Sequence, residues 1–62
     1  KGAVPDMLVP SKIRSFVARE FPDRTVVRIE HDSKLYEIVL DNGVELCFNS
    51  SFRLIDIDTV EL

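Results

Sequence analysis

The chain reads as an α+β domain, one helix packed on a four-stranded antiparallel meander sheet, and three observations carry that reading. Leu35 to Phe48 alternates apolar and polar residues on both sides of Asn42-Gly43, the strongest short-range signal of a hairpin. Pro10 to Phe21 instead spaces Ile13, Phe16, Val17 and Phe21 three and four apart, the period of a helix. Two further apolar runs, Thr25 to His31 and Phe52 to Ile57, are short and set off from the hairpin by turn residues. With 62 residues the chain makes one domain, spanning 1–62, with a lead-in at 1–9, a helix at 10–21 and a sheet over 25–57. A domain this small buries only about 60% of the surface its unfolded chain exposes, so support from association is expected.

In the lead-in, Pro10 is expected at the first helical position, where its missing N–H costs nothing. Leu8 and Ile13 then stand at the positions of a hydrophobic staple. Pro22 stops the helix, because the residue before a proline is pushed away from the α region. Lys12 and Arg14 lie near the positive end of the helix dipole and Glu20 near the negative end, each at a cost of some tenths of a kcal/mol. Burying Phe16 or Phe21 contributes roughly 1.5–3 kcal/mol apiece, so packing wins and the helix is expected to hold only when docked.

In the first strand Val27 and Ile29 are expected to point inward, with Val26, Arg28 and Glu30 outward. After the turn at Asp32-Ser33-Lys34, the central hairpin places Tyr36, Ile38 and Leu40 with Val44, Leu46 and Phe48 on one face. Asn42 and Gly43 are the expected central residues of a type I′ turn, both at positive φ. A second turn at Asn49-Ser50-Ser51 leads to the fourth strand, whose Phe52 and Leu54 point one way while Ile55 and Ile57 point the other. One helix covers one face of such a sheet. The other face then carries Val26, Leu35, Val39 and Cys47, and a two-faced apolar edge strand is not expected to meet plain water. The expected partner surface is Val26, Leu35, Glu37, Val39, Cys47, Ile55 and Ile57. A second copy, a tandem neighbour or another protein would cover it.

The charge balance narrows the function classes. Eleven acidic against eight basic residues, a net charge of −3, argue against nucleic acid, which requires a basic surface. No apolar run approaches the roughly 18 residues of a membrane span, and no secretory signal is recognisable. Position 1 is Lys rather than Met, so a processed or excised piece is expected. One cysteine and one histidine exclude an internal disulfide and the usual Cys/His zinc sites, and no cofactor or metal is expected. Cys47 and His31 as nucleophile and base lack a third, orienting group. Cys47 reads instead as a small apolar packing residue, or on the outward face as a cross-link between two copies. Asp56, Asp58 and Glu61 lack the glycine turn and ligand count of a calcium loop and read as a solvated acidic tail. Asn49-Ser50-Ser51 matches an N-glycosylation acceptor, a pattern short sequences often meet by chance. Lys12, Arg14 and Arg19 make the outer side of the helix basic, while Glu30, Glu37 and Glu45 make the strands acidic. Such opposite faces fit a solvated charge pattern or electrostatic steering toward a partner.

One ordered set of motifs carries a resemblance. Ala3-Val4-Pro5-Asp6, Val9-Pro10, Phe21-Pro22-Asp23 and Val27-x-Ile29-Glu30 precede Tyr36-Glu37-Ile38-x-Leu40-x-Asn42-Gly43-x-Glu45-Leu46-x-Phe48 and Phe52-Arg53-x-Ile55-x-Ile57-Asp58. This order resembles one repeat of the PepSY-like, putative β-lactamase-inhibitor-like family of small secreted bacterial proteins, mostly from Bacteroides and relatives. The resemblance covers about Ala3 to Asp58. It implies a helix on an antiparallel sheet, a periplasmic or secreted setting, and two such repeats in most members. It carries over no catalytic residue, and the aromatic residue common near Leu54 in the family is absent. It implies a non-enzymatic protein-binding or interaction module of the cell envelope, with an inhibitor of a periplasmic or secreted hydrolase (β-lactamase or peptidase type) as the alternative. A lone repeat would pair with itself. Asp58-Thr59-Val60 is similar to the short O-glycosylation signal of such secreted bacterial proteins, which would place a sugar on Thr59.

Overall fold

The computed structural model describes residues 4–5 and 8–62. Ala3 and Asp6, part of the resemblance motif, lie outside the described residues. The elements are α1 (Ser11–Glu20), β1 (Val26–His31), β2 (Leu35–Leu40), β3 (Val44–Asn49) and β4 (Leu54–Thr59). The strands form one antiparallel sheet in the order β1-β2-β3-β4, the expected meander.

The helix begins one residue later than its sequence pattern predicts. Pro10 has φ −53° and ψ 142°, outside the helical region, and stands as the N-cap. Its carbonyl accepts the Arg14 N–H at 2.9 Å, while the Arg14 guanidinium donates to the Val9 carbonyl at 3.1 Å. The expected staple is replaced: Leu8 is 61% exposed, and Val9, only 3% exposed, packs with Ile13 instead. At the other end the Phe21 N–H closes on Val17 and Pro22 follows, so the helix stops at Glu20. An apolar cluster of Val9, Ile13 and Val17 meets Ile38, Leu40, Leu46 and Phe48, and Phe16 meets Phe48 edge-on with ring centroids 5.4 Å apart. This is the face of the sheet that the alternation of β2 and β3 assigns to the core.

Both edge strands break that alternation once. Between β1 and β2, Val26 opposes Leu40 while Arg28 opposes Val39, so Val27 is an extra residue. The bulge turns Val26 as well as Ile29 toward the core, correcting the expectation that Val26 faces outward and Val27 inward. Between β3 and β4, Leu54 opposes Phe48 and Asp56 opposes Cys47, leaving Ile55 extra. Past that bulge Ile57 opposes Leu46, on the same side as Leu54. The apparent conflict in the fourth strand is therefore a phase switch within it.

The central hairpin forms with the expected partners but not with the expected turn. The Gly43 N–H donates to the Leu40 carbonyl at 2.9 Å, and only Gly43 in this loop has positive φ, +87°. This is a three-residue loop, a type I turn followed by a left-handed glycine, in place of the two-residue type I′ turn. Two bonds hold it open: Val44 N–H to the Asn42 side chain at 3.2 Å, and Asp41 N–H to the Thr25 carbonyl at 2.8 Å. Glycine is required because a Cβ at position 43 would stand 2.7 Å from the Val60 carbonyl oxygen. The loop after β3 has the same form, with the Phe52 N–H donating to the Asn49 carbonyl at 2.9 Å and Phe52 in the left-handed position at φ 64°. The Asn49 side chain accepts from the N–H groups of Ser51 and Arg53 at 2.9 and 3.1 Å.

Candidate interaction surface

The register sorts the side chains of the face away from the helix into rows. Glu30, Glu37, Cys47 and Asp56 stand side by side across the four strands, and Arg28, Val39, Glu45 and Asp58 form the next row. Carboxylates make up three of the four side chains in the first row and two in the second, beside Arg28, and among the described residues the ion pairs are Arg19–Glu20 at 3.1 Å and Arg24–Asp41 at 3.5 Å, neither on this face. The Glu45 carboxylate, then partial burial, then Glu30 hold the Glu37 carboxyl above its ordinary value. Burial first, then the Glu37 and Asp56 carboxylates, push the Cys47 thiol up, which makes it a poor nucleophile. At the end of the sheet the Lys34 and Leu35 N–H groups, both 2.9 Å from the Asp32 carboxylate, hold that group below its ordinary value.

The seven residues expected to form one surface divide among three places. Leu35, Glu37 and Cys47 lie on the open face and are half-buried. Val39 also lies there but is 1% exposed, flanked across the strands by Arg28 and Glu45, whose long side chains can fold their stems over it. Val26 packs on the helix side. Ile55, 53% exposed, is the bulge residue of β4, and Ile57, 55% exposed, sits on the helix side opposite Leu46. The helix does not reach that far, so Ile57 overhangs the covered core. Adjacent apolar doublets, Val26-Val27 and Leu54-Ile55, are the signal in the sequence from which both bulges could have been found.

The possible chemical dyad is taken apart by the sheet. His31 opposes Tyr36 and stacks on it with centroids 3.9 Å apart, on the helix side, whereas Cys47 opposes Glu37 on the other face. A cleft of about 190 Å³ lies among Glu30, His31, Asp32, Leu35 and Glu37, and a larger one of about 260 Å³ runs beside the helix between Val17, Phe21 and Val26. Among the described residues no group of three or more His, Cys, Asp or Glu side chains is arranged to hold a metal ion. Within those residues no helix is long and apolar enough to cross a membrane.

Comparison with known proteins agrees with the architecture. Among curated proteins none matches the chain. One similar solved structure is described as a putative calcium-regulated periplasmic protein from Bacteroides thetaiotaomicron. It is 44% identical with a TM-score of 0.89, over 92% of this chain and 45% of that one. A second, a putative periplasmic protein from Bacteroides vulgatus, is 43% identical with a TM-score of 0.91, over 94% of this chain and 46% of that one. The chain thus spans somewhat under half the length of either. Residues 1–56 match the model of a family described as putative β-lactamase-inhibitor-like, PepSY-like. With that match over most of its length, and with the helix-on-meander fold the resemblance implied, the chain belongs to the PepSY-like family.

Proposed function

We propose that this domain is a non-enzymatic protein-binding module of the bacterial cell envelope and that it binds through β4. The observation that carries the reading is the exposure of Ile55 and Ile57 on an edge strand that the helix leaves uncovered. Exposed apolar side chains beside unpaired backbone groups favour a partner over water. The placement of Cys47 and His31 on opposite faces and the raised thiol of Cys47 support a binding role over a catalytic one. The envelope setting follows the periplasmic descriptions of the two similar proteins.

The test is capture from a Bacteroides periplasmic extract by the immobilised chain and by its Ile57→Lys variant. A protein retained by the first and lost by the second, with no turnover detected, is the expected result. Identical capture by both would overturn the reading. The family description favours one second reading, inhibition of a hydrolase. That reading requires dose-dependent inhibition of a β-lactamase or peptidase at a fixed stoichiometry.

A further inference from the structure

We propose that β4 takes up an extended segment in which basic residues alternate with apolar ones, adding it to the sheet as a fifth strand. The inference rests on the reading that β4 is the binding element and names the chemistry of its partner. In the order β1-β2-β3-β4, the outer side of Leu54–Thr59 has no neighbouring strand among the described residues. An antiparallel ladder uses the backbone groups of alternate residues on each side, so this edge offers unpaired N–H and C=O groups to an incoming strand. The opposite edge is less available, because the Val4 N–H already donates to the Val26 carbonyl of β1 at 2.9 Å.

The side chains of β4 fix what such a strand carries. After the bulge at Ile55, the run Asp56-Ile57-Asp58 is regular, with the two carboxylates on the open face and Ile57 on the helix side. An added strand lays alternate side chains on the same two faces. Those on the helix side would meet Ile57 and favour apolar groups. Those on the open face would meet Asp56 and Asp58, which are backed in their rows by Glu37 and Glu45. Neither Asp56 nor Asp58 stands in an ion pair among the described residues, although one Asp58 oxygen accepts the Thr59 N–H at 2.8 Å. Lysine or arginine on that face meets complementary charge, and the negative field of the rows steers it inward.

A second copy of β4 fits poorly. In two-fold antiparallel pairing centred on Ile57, each Asp56 meets the Asp58 of the other copy, and centring on either aspartate sets it against itself. Like charges directly opposite each other destabilise a strand pair. In the registers centred on Asp56, Ile57 or Asp58 the aspartates thus disfavour a second copy while leaving the edge open to a basic strand.

The experiment uses the chain with nitrogen-15 label and two capped hexapeptides, one alternating Lys and Val and one alternating Glu and Val. The basic peptide is expected to bind, slow amide exchange within Leu54–Thr59, and weaken steeply with salt. In Asp56→Lys/Asp58→Lys its affinity should fall at least tenfold while the acidic peptide gains affinity. Asp56→Asn/Asp58→Asn, which removes charge without reversing it, should weaken the basic peptide and serves if the lysine variant fails to fold. The proposal is overturned if both peptides bind the unaltered chain equally, if the basic peptide does not bind, or if it binds without protecting those amides. It is also overturned if light scattering finds a dimer that Asp56→Lys/Asp58→Lys leaves unchanged while exchange shows β4 protected in it. Peptide failure with capture from extract still dependent on Ile57 would sink this inference alone. Capture indifferent to Ile57 would sink the proposed function.

Discussion

Phe52 offers a test in which the usual order of two substitutions is reversed. Its φ of 64° places an aromatic residue with a Cβ in the left-handed region, at a cost of roughly 1–2 kcal/mol. What offsets the cost is its ring, half-buried against the core and 5.3 Å from the Tyr36 ring centroid. Phe52→Ala removes the ring but keeps the Cβ, so the strain remains. Losing a fully buried Phe side chain costs about 3–5 kcal/mol, and half-burial scales this to about 2 kcal/mol. Phe52→Gly loses the same ring yet releases the strain, less roughly 0.4–1 kcal/mol for the greater freedom of glycine in the unfolded chain. Glycine should therefore exceed alanine in stability by about 1 kcal/mol, or roughly 4–8 °C in Tm for a domain of this size. At an ordinary strand position the order would be the opposite. The chain has no Trp, so urea and thermal unfolding are best followed by far-ultraviolet circular dichroism. An alanine variant as stable as the glycine variant, or more stable, would refute the assignment of strain to this residue.

Four further outcomes are expected. Gly43→Ala meets both the positive φ and the Val60 carbonyl, and should lower stability by about 1–2 kcal/mol or more, read from the urea midpoint. Glu37 has a raised folded pKa, so its contribution is fully present below its unfolded value and is lost as pH rises through the folded one. Glu37→Gln should accordingly remove part of the decline in stability above the ordinary carboxylate range, and unchanged slopes against pH would contradict this. Asp32, with a lowered pKa, works in the other direction and loses its contribution as pH falls through its folded value. Cys47 should react with iodoacetamide more slowly than glutathione at pH 8, faster after Glu37→Gln, and fastest in urea, because burial is the largest cause of its raised pKa.

The two inner strands were legible residue by residue. Tyr36, Ile38 and Leu40 face the helix with Leu46 and Phe48 because each strand keeps a strict period of two, and a sheet covered on one side enforces it. The edge strands were not, since a single bulge residue reverses every assignment beyond it. Alternation alone points Val26 outward and leaves the side of Ile57 open, whereas it points Ile29 inward, where the structure has it. The lead-in is ambiguous for a different reason: Leu8 and Val9 are both apolar, and only the path of the chain into Pro10 selects Val9 for the core. Asn42-Gly43 by itself points to its commonest turn, type I′, whereas the bonds from Asp41 to Thr25 and from Val60 to Gly43, which accompany the three-residue loop, come from distant strands. The acidic rows required the register itself. Glu37 and Asp56 are nineteen residues apart in the chain and come into one row with Glu30 only through the register of three ladders.

Those same bonds at the hairpin tip determine how the domain hangs from whatever it is joined to. Val4 is tied to Val26 at the start of β1, and Val60 to Gly43 at the start of β3, where β4 ends. Both described ends of the chain therefore leave from one pole of the sheet, with Val4 outside β1 and Val60 at the end of β4, four strand spacings or about 19 Å apart. The loops at 32–34 and 50–52 occupy the other pole, a strand length of about 20 Å away. A tether at either terminus thus starts at the pole opposite those loops. The short span between the ends also makes their separation a direct optical gauge of unfolding, since it must grow severalfold when the sheet comes apart.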